Sequence, residues 1–146
     1  MNKLLKLNET VRMIERELFE AAKTLAASRY PTGWGGAAAL ATESSKVLTS
    51  IAPEVPNDAL SLCMEVGACL EAHKLDERVT HSLCVYRESE SDEFTVLTAC
   101  GVCQERLSHW GRSVEVAISN PKNALIFKPL SELMPHHWSQ VNGVQL

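Results

Sequence analysis

Apolar residues follow a helical period in the first part of the chain. Over residues 8–28 they recur every three or four positions with charged residues between them, which predicts an amphipathic helix. The apolar positions are Val11, Ile14, Leu18, Ala21, Ala22 and Leu25. The stretch Asn8-Glu9-Thr10-Val11 offers an N-cap, and Tyr30-Pro31-Thr32-Gly33 carries turn residues that end the helix.

Short apolar runs in the rest of the chain predict strands that alternate with helices. Two runs separated by Glu43-Ser44-Ser45, at residues 37–42 and 46–52, predict a β-hairpin. Further strands are predicted at residues 79–87, 94–99, 114–119 and 124–127. Helices are predicted at residues 59–75, 100–110 and 131–134. Strands with interspersed helices predict an α/β architecture, and the length of 146 residues predicts a single domain over residues 1–146.

Composition and charge narrow the classes of partner. Hydrophobic residues make up 45% of the chain and charged residues 22%, which excludes a largely disordered protein. The net charge is −4, and lysine and arginine form no stripe, so a small ligand is favoured over nucleic acid. No apolar stretch approaches the roughly 18 residues of a membrane span, so we expect a soluble, cytoplasmic protein without a membrane partner.

The cysteines indicate where chemistry occurs. Their number, five, is odd, and we expect no secretion signal; both points favour metal ligation or catalysis over a disulfide framework. Cys100-Gly101-Val102-Cys103 follows a predicted strand and opens a predicted helix, so both sulfurs can face one point before the helix. Cys63 and Glu65 are placed near the first turns of the helix predicted over residues 59–75.

Three thiolates together are suitable ligands for zinc, and they leave its fourth tetrahedral position for water. Glu65 then suits proton transfer better than ligation. A zinc-activated water with an adjacent carboxylate is the known arrangement of zinc-dependent deaminases of nucleobases, which hydrolyse the amino group from an aromatic ring.

Two non-enzymatic alternatives remain open at this point. A Cys-x-x-Cys pair after a strand is also typical of thioredoxin-like redox proteins. A closed structural zinc site is the other alternative, if a histidine supplies the fourth ligand. Cys69 and Cys84 fall on apolar faces and are expected in the core.

The sequence resembles the cytidine deaminases, specifically the small form with three cysteine ligands, and the neighbouring blasticidin S deaminases. The matching pieces follow the family order over residues 10–138. Cys63-Met64-Glu65 matches the family's Cys-Ala-Glu, and Cys100-Gly101-Val102-Cys103 matches Pro-Cys-Gly-x-Cys. Gly36-Ala37-Ala38-Ala39-Leu40 resembles the strand before the site, and Leu133-Met134-Pro135-His136-His137-Trp138 resembles the closing Leu-Leu-Pro-x-x-Phe.

The resemblance implies a fold, a metal and a reaction. The fold is a three-layer α/β/α domain with a central mixed five-stranded sheet. Zinc is held by Cys63, Cys100 and Cys103, and Glu65 is the catalytic acid/base. The implied reaction converts a cytosine-type nucleoside, cytidine or deoxycytidine, to the uracil-type product plus ammonia, as in pyrimidine salvage.

The resemblance also implies substrate contacts and an assembly. The backbone N–H of Met64 and the carbonyl of Thr98 would hold the base, and Glu54 would contact the ribose. Trp34 would contribute an aromatic contact. The protein would be a homo-oligomer, a tetramer or a dimer, whose subunits complete one another's sites, with Trp138 reaching a neighbour.

Four positions depart from the family pattern. The asparagine that grips the ribose is Ala52 here, which favours a cytosine-bearing antibiotic such as blasticidin S as the alternative substrate. The arginine that neutralises the thiolates is Val66, and the position after the second cysteine pair, commonly arginine, is Gln104. We expect another donor, with Arg106 as the candidate, to compensate the charge. Ala99 replaces the usual proline and leaves the cysteine spacing intact.

Overall fold

A computed structural model describes the backbone of residues 3–141 and the side chains of residues 8–141. The helices are α1 (Lys3–Arg29), α2 (Val66–Leu75), α3 (Gly101–Leu107) and α4 (Leu130–Leu133). The strands are β1 (Gly35–Thr42), β2 (Val47–Ser50), β3 (Val79–Arg87), β4 (Thr95–Leu97), β5 (Glu115–Ala117) and β6 (Phe127–Pro129). Short 3-10 turns occur at Asp58–Leu60, Ser108–Trp110 and Trp138–Gln140. The ends of the predicted domain, 1–146, lie outside the described residues, and that boundary stays a prediction.

The strands form one mixed sheet. Five of them run in the order β2-β1-β3-β5-β6, and the short β4 pairs with β3 outside that order. β3 and β5 are parallel, whereas the other pairs are antiparallel. The predicted α/β fold with a mixed five-stranded sheet is therefore confirmed, with β4 as an additional short strand.

Helices cover both faces of this sheet. On one face, α1 buries Leu18, Ala22 and Ala26 against β1 and β3. On the other face, α2 and α3 enclose a second core with Leu40 of β1 and Val116 of β5. The middle of β1 is rich in alanine and fully buried, which lets both helical layers approach the strand closely.

The first helix is longer than predicted. It begins by Lys3 rather than after an N-cap at Asn8, so the predicted cap is wrong. The preceding residues are lysines and leucines, which have high helix propensity and extend the helix instead of ending it. No helix within residues 3–141 is long and apolar enough to cross a membrane.

The predicted hairpin is confirmed as β1 and β2. Its turn contains no glycine, and Ser45 supplies the left-handed conformation at φ 65°. Strand β3 occupies the predicted residues. The predicted strand at residues 124–127 begins later, at Phe127, because Asn120 bonds the backbone of Ala124 and holds the preceding turn out of the sheet.

Helix α2 is shorter than predicted. The prediction placed its start near residue 59, but the helix begins at Val66 and Glu65 is its N-cap residue. Asn57 caps the separate turn Asp58–Leu60, where its side chain accepts from Ala59 N. Cys63 and Glu65 consequently lie in the connection just before α2 rather than within its first turns.

Candidate active site

Three thiols from two separate parts of the chain meet at the starts of α2 and α3. The Sγ atoms of Cys63, Cys100 and Cys103 all lie within 4.8 Å of one another. Cys63 Sγ and Cys100 Sγ are 3.3 Å apart. Cys103 is buried, whereas Cys100 is exposed, so the cluster opens to one side.

This spacing fits a tetrahedral ion. Sulfur ligands lie about 2.3 Å from zinc, which places neighbouring sulfurs about 3.8 Å apart. The three thiols satisfy that spacing with little movement, and they form the one such cluster among residues 8–141. No histidine in that range joins it, so the closed structural site with a histidine ligand has no support within the described residues.

Glu65 lies on the buried side of the thiols. Its side chain is only 3% exposed, and its Oε2 accepts a hydrogen bond from the Cys103 thiol at 3.4 Å. A buried carboxylate needs such polar partners because water cannot solvate it there. Its position beside the cluster allows it to exchange protons with a ligand bound at the open side.

Ser50, at the end of β2, holds the connection that carries Cys63 and Glu65. Its hydroxyl donates to the Met64 carbonyl at 2.5 Å and accepts from Ala68 N of α2 at 2.9 Å. A Cβ atom on Gly67 would lie 2.8 Å from the Ser50 side chain, so this close packing requires glycine. Ser50 thus fixes the first half of the metal-ligand set relative to the sheet.

Ser119, after β5, fixes the loop that leads to the second half. Its hydroxyl accepts from Thr98 N at 2.9 Å and donates to Val96 O at 3.1 Å, and its own N–H donates to the Thr98 hydroxyl at 2.7 Å. Gln104 braces the same loop by donating to Ala99 O at 2.7 Å. The backbone before Cys100 is therefore held on both sides.

The start of α3 favours an ionised sulfur. The pKa of Cys100 lies below its ordinary value although burial opposes ionisation, because backbone N–H groups donate to its sulfur. Those groups belong to Val102 and Cys103, at the positive end of the helix. The hydrogen bond with Cys100, followed by burial, raises the pKa of Cys63. Burial and the Glu65 carboxylate raise the pKa of Cys103.

A pocket of about 390 Å³ opens over the thiols and Glu65. The residues that line it are Trp34, Ala52, Cys63, Met64, Glu65, Cys84, Leu97, Thr98 and Cys100. The structure thus brings three of the predicted substrate contacts, Trp34, Met64 and Thr98, to the same pocket as two of the predicted ligands. Their roles toward a substrate stay predictions.

Two other predicted contacts lie outside this pocket. Glu54 is on an exposed loop, where its carboxylate pairs with Arg29 at 3.2 Å. Trp138 donates from its indole Nε1 to Glu105 at 3.0 Å, and His137 Nε2 lies 2.6 Å from the same carboxylate. Trp138 was expected to reach a neighbouring subunit, and that role also stays a prediction.

The remaining cysteines pack in the protein interior. Cys84 is 3% exposed and its thiol lies 3.9 Å from the Met64 sulfur. Cys69 borders a separate cavity of about 380 Å³ between α2 and α3, away from the thiol cluster. Burial and the Glu65 charge raise the pKa of Cys69 to about 11, and Arg106 opposes that rise. Arg106 lines the same cavity as Cys69, and its compensation of the thiolate charge stays a prediction.

Comparison with solved structures decides the family. The chain superposes on the crystal structure of the cytidine deaminase from Bacillus anthracis with a TM-score of 0.88 and 52% sequence identity, over 89% of this chain and 93% of that one. The chain belongs to the cytidine deaminase family. The predicted recognition and enzyme class are confirmed at this level.

More distant cytidine deaminases share the fold. The enzyme from Burkholderia pseudomallei matches with a TM-score of 0.65 and 22% identity, over 84% of this chain and 98% of that one. The enzyme from Mycobacterium leprae matches with a TM-score of 0.61 and 17% identity, over 81% and 98%. Neither the protein-family models nor the curated proteins searched contain a match.

Within this cytidine deaminase-family site, sequence reasoning missed Ser50, Ser119 and Leu97. The two serines act through backbone contacts across 14 to 23 positions of sequence, and no local motif marks them. Leu97 is the last residue of β4, directly before Thr98, and its place at a strand end beside the cysteine motif was the available signal.

Proposed function

We propose that this site catalyses zinc-dependent hydrolytic deamination of a cytosine-type nucleoside to the uracil-type product and ammonia. The observation that carries the proposal is the buried Glu65 carboxylate, 3.4 Å from Cys103, at the inner end of a pocket bordered by the thiol cluster. Three thiols leave an open coordination position, which distinguishes a catalytic site from a structural one. Family membership supports the same reaction.

Glu65 performs the proton transfers of this reaction. A zinc ion held by Cys63, Cys100 and Cys103 would lower the pKa of a water and so supply a nucleophile at neutral pH. Glu65 accepts a proton from the nucleophile and delivers it to the ring nitrogen beside C4. It then takes the proton of the new C4 hydroxyl and gives it to the departing amine, so that the C4 carbonyl forms as the C4–N bond breaks. The oxygen of one water replaces the exocyclic nitrogen, which leaves as ammonia, and no oxidant is consumed.

The loops around the pocket orient the base. Met64 N–H and the Thr98 carbonyl would hold its polar edge, and Trp34 would contact the ring or its substituent. The hydrogen bonds of Ser50 to the Met64 carbonyl and of Ser119 to Thr98 fix both loops before substrate arrives. Such preorganisation lowers the entropic cost of placing C4 beside Glu65.

The assembly we propose is a homotetramer. Exposed apolar side chains on the helices beside the site support it, since Leu70 of α2 is 62% exposed and Val102 of α3 is 58% exposed. Subunits would then contribute residues such as Trp138 to one another's pockets. Light scattering of the purified protein tests this: a tetramer mass supports it, and a monomer contradicts it. The cytoplasmic location stays a prediction.

A panel of amino-substituted bases tests the proposed reaction. Ammonia release and the ultraviolet absorbance change should be measured with cytidine, deoxycytidine, cytosine, blasticidin S and aminopurines. We expect turnover of cytosine-type nucleosides and none of aminopurines. Blasticidin S is the second candidate, because Ala52 lines the pocket without an amide group for a ribose hydroxyl. Turnover of no member would contradict the substrate assignment.

A further inference from the structure

The pocket over the thiol cluster has a polar inner end and an apolar mouth. Glu65 and Cys84 are each 3% exposed and form its inner end. Trp34 and Leu97 are 46% and 40% exposed and border its open end. Large apolar side chains with this exposure beside a pocket are typical of a surface that a ligand covers.

The polar side chains of this pocket already have partners or belong to the metal-ligand set. The Glu65 carboxylate accepts from Cys103, and the thiols belong to the metal-ligand set. The Thr98 hydroxyl bonds with the Ser119 hydroxyl at 3.3 Å and accepts from the Ser119 N–H at 2.7 Å. Among the described residues that line the pocket, no side-chain amide or carboxylate faces the mouth, and Glu54 pairs with Arg29 outside it.

One wall of the pocket over the thiol cluster contains the sulfur atoms of Met64 and Cys84. Met64 Sδ lies 3.9 Å from the Cys84 thiol, and it would lie 2.7 Å from a Cβ on Gly36. Thioether sulfur packs favourably against aromatic rings. The absent side chain of Gly36 makes room for Met64 here, so this wall suits the flat face of a heteroaromatic base.

The geometry of a cytosine ring relates the two ends of the pocket. C4 and N1 are on opposite sides of the six-membered ring. When C4 faces Glu65 at the inner end, the N1 substituent points to the mouth. There it would contact Trp34, Leu97 and Ala52. A hydroxyl placed among these side chains loses water without gaining a partner among the described pocket residues of the same chain, which is unfavourable.

We infer that this pocket selects cytosine-type bases whose N1 substituent is apolar or deoxygenated over bases that carry ribose. The inference rests on the proposed deamination, because it assumes that C4 faces Glu65. It assigns Leu97 and Ala52, together with Trp34, as the residues that determine specificity at the mouth.

A matched substrate series tests the inference. The value of kcat/KM should be measured for cytidine, 2′-deoxycytidine, 2′,3′-dideoxycytidine and 1-methylcytosine with the zinc-loaded full chain. We expect 2′,3′-dideoxycytidine to exceed cytidine by about tenfold, since two unpartnered hydroxyls are removed. A value at or below that of cytidine overturns the inference while leaving deamination established. Turnover of no member overturns the proposed function itself, and the inference with it.

Variants at the mouth test which residues are responsible. Leu97→Ala should lower the ratio of kcat/KM for 2′,3′-dideoxycytidine to that for 1-methylcytosine by about tenfold, because only the larger substituent reaches this side chain. Ala52→Asn, which adds an amide at the mouth, should raise cytidine relative to 2′,3′-dideoxycytidine. Met13→Ala removes an exposed methionine of α1 that does not line this pocket, and it should change neither ratio.

Subunit mass measured for each variant separates a substrate contact from an interface contact. If Leu97→Ala dissociates the assembly and leaves both ratios unchanged, Leu97 is covered by a neighbouring subunit and the inference is overturned. An unchanged mass with a changed ratio supports the role at the mouth.

Discussion

At the scale of single residues, the five cysteines divide by environment rather than by sequence spacing alone. Cys63, Cys100 and Cys103 share one point of convergence, whereas Cys69 and Cys84 are buried apart from it. The α3 N–H groups lower the pKa of Cys100, and burial raises the pKa of Cys69 to about 11. Among these cysteines, the surroundings of Cys100 favour the thiolate that binds metal.

Removing single thiols should therefore separate ligands from core residues. Cys100→Ala is expected to weaken zinc binding by more than about 100-fold. This is a larger loss than the roughly 10–100-fold that follows when a residue hydrogen-bonded to a metal ligand is removed. Cys69→Ala, the matched control, should retain zinc affinity and lose some stability through its cavity. Competition with a chromogenic chelator measures both. Equal affinities in the two variants would argue against the thiol cluster as the metal site.

At the scale of elements, β1 packs closely against the connection before α2 at Gly36. A Cβ at this position would lie 2.7 Å from Met64 Sδ, 3.0 Å from Val85 O and 3.2 Å from the Trp34 ring. Gly36 lies inside the sheet, paired with Tyr86 of β3, so the strand cannot move away easily.

Gly36→Ala should lower the free energy of unfolding by roughly 1–3 kcal/mol through overpacking. Adding Met64→Ala should recover part of this loss, because the sulfur is the nearest clash while Val85 O remains. Urea denaturation of both single variants and the double variant gives the coupling. Gly101→Ala, where a Cβ meets nothing within 4 Å, is the control. Strict additivity of the two substitutions would contradict the proposed contact.

The hairpin of β1 and β2 is tied to the end of α2 by Glu77. Its carboxylate accepts from Lys46 Nζ at 2.5 Å and from the Ser44 hydroxyl at 2.7 Å. The Lys46 hydrogen bond, followed by that from Ser44, lowers the pKa of Glu77 to about 2 from the model-peptide value of 4.5. A lowered carboxyl pKa in the folded state stabilises the fold above the unfolded value.

This contribution should be lost in acid. The difference in free energy of unfolding between the parent and Glu77→Gln should be constant above about pH 5 and should shrink as the pH falls from about 4.5 toward 2. Glu43→Gln, an exposed glutamate in the same turn, is the matched control. Urea titrations at several pH values measure the difference. A difference that grows in acid would contradict the assignment.

At the scale of the whole molecule, the sequence predicted the layers better than the boundaries of elements. Strand β3 places Val79, Leu83 and Val85 at even spacings, which is the period of one strand face, and this pattern placed it at the observed residues. The start of α2 was placed too early because Leu60 and Leu62 continue the helical spacing. Both side chains are exposed, and Ser50 holds the Met64 carbonyl outside the helix through a contact 14 residues away in sequence.

In the candidate site too, some residues could be predicted from the sequence and others could not. The cysteines and Glu65 could be predicted because metal ligation and proton transfer require particular residue types at particular spacings. Ser119 could not, since its role arises only when β5 is brought beside the cysteine loop. For Leu97 the sequence offered one signal, its place at a strand end beside the cysteine motif. Glu54 pairs with Arg29 on an exposed loop, and the ribose contact that the resemblance implies for it stays a prediction.

The proposed deamination depends on Glu65 acting beside a metal held by the thiol cluster. The most direct test is the rate of cytidine deamination by Glu65→Gln and by the parent, with bound zinc quantified in both. We predict that kcat falls by roughly 100- to 10,000-fold in the variant while zinc content is unchanged. Deamination at the parent rate by a zinc-loaded Glu65→Gln variant would contradict the account.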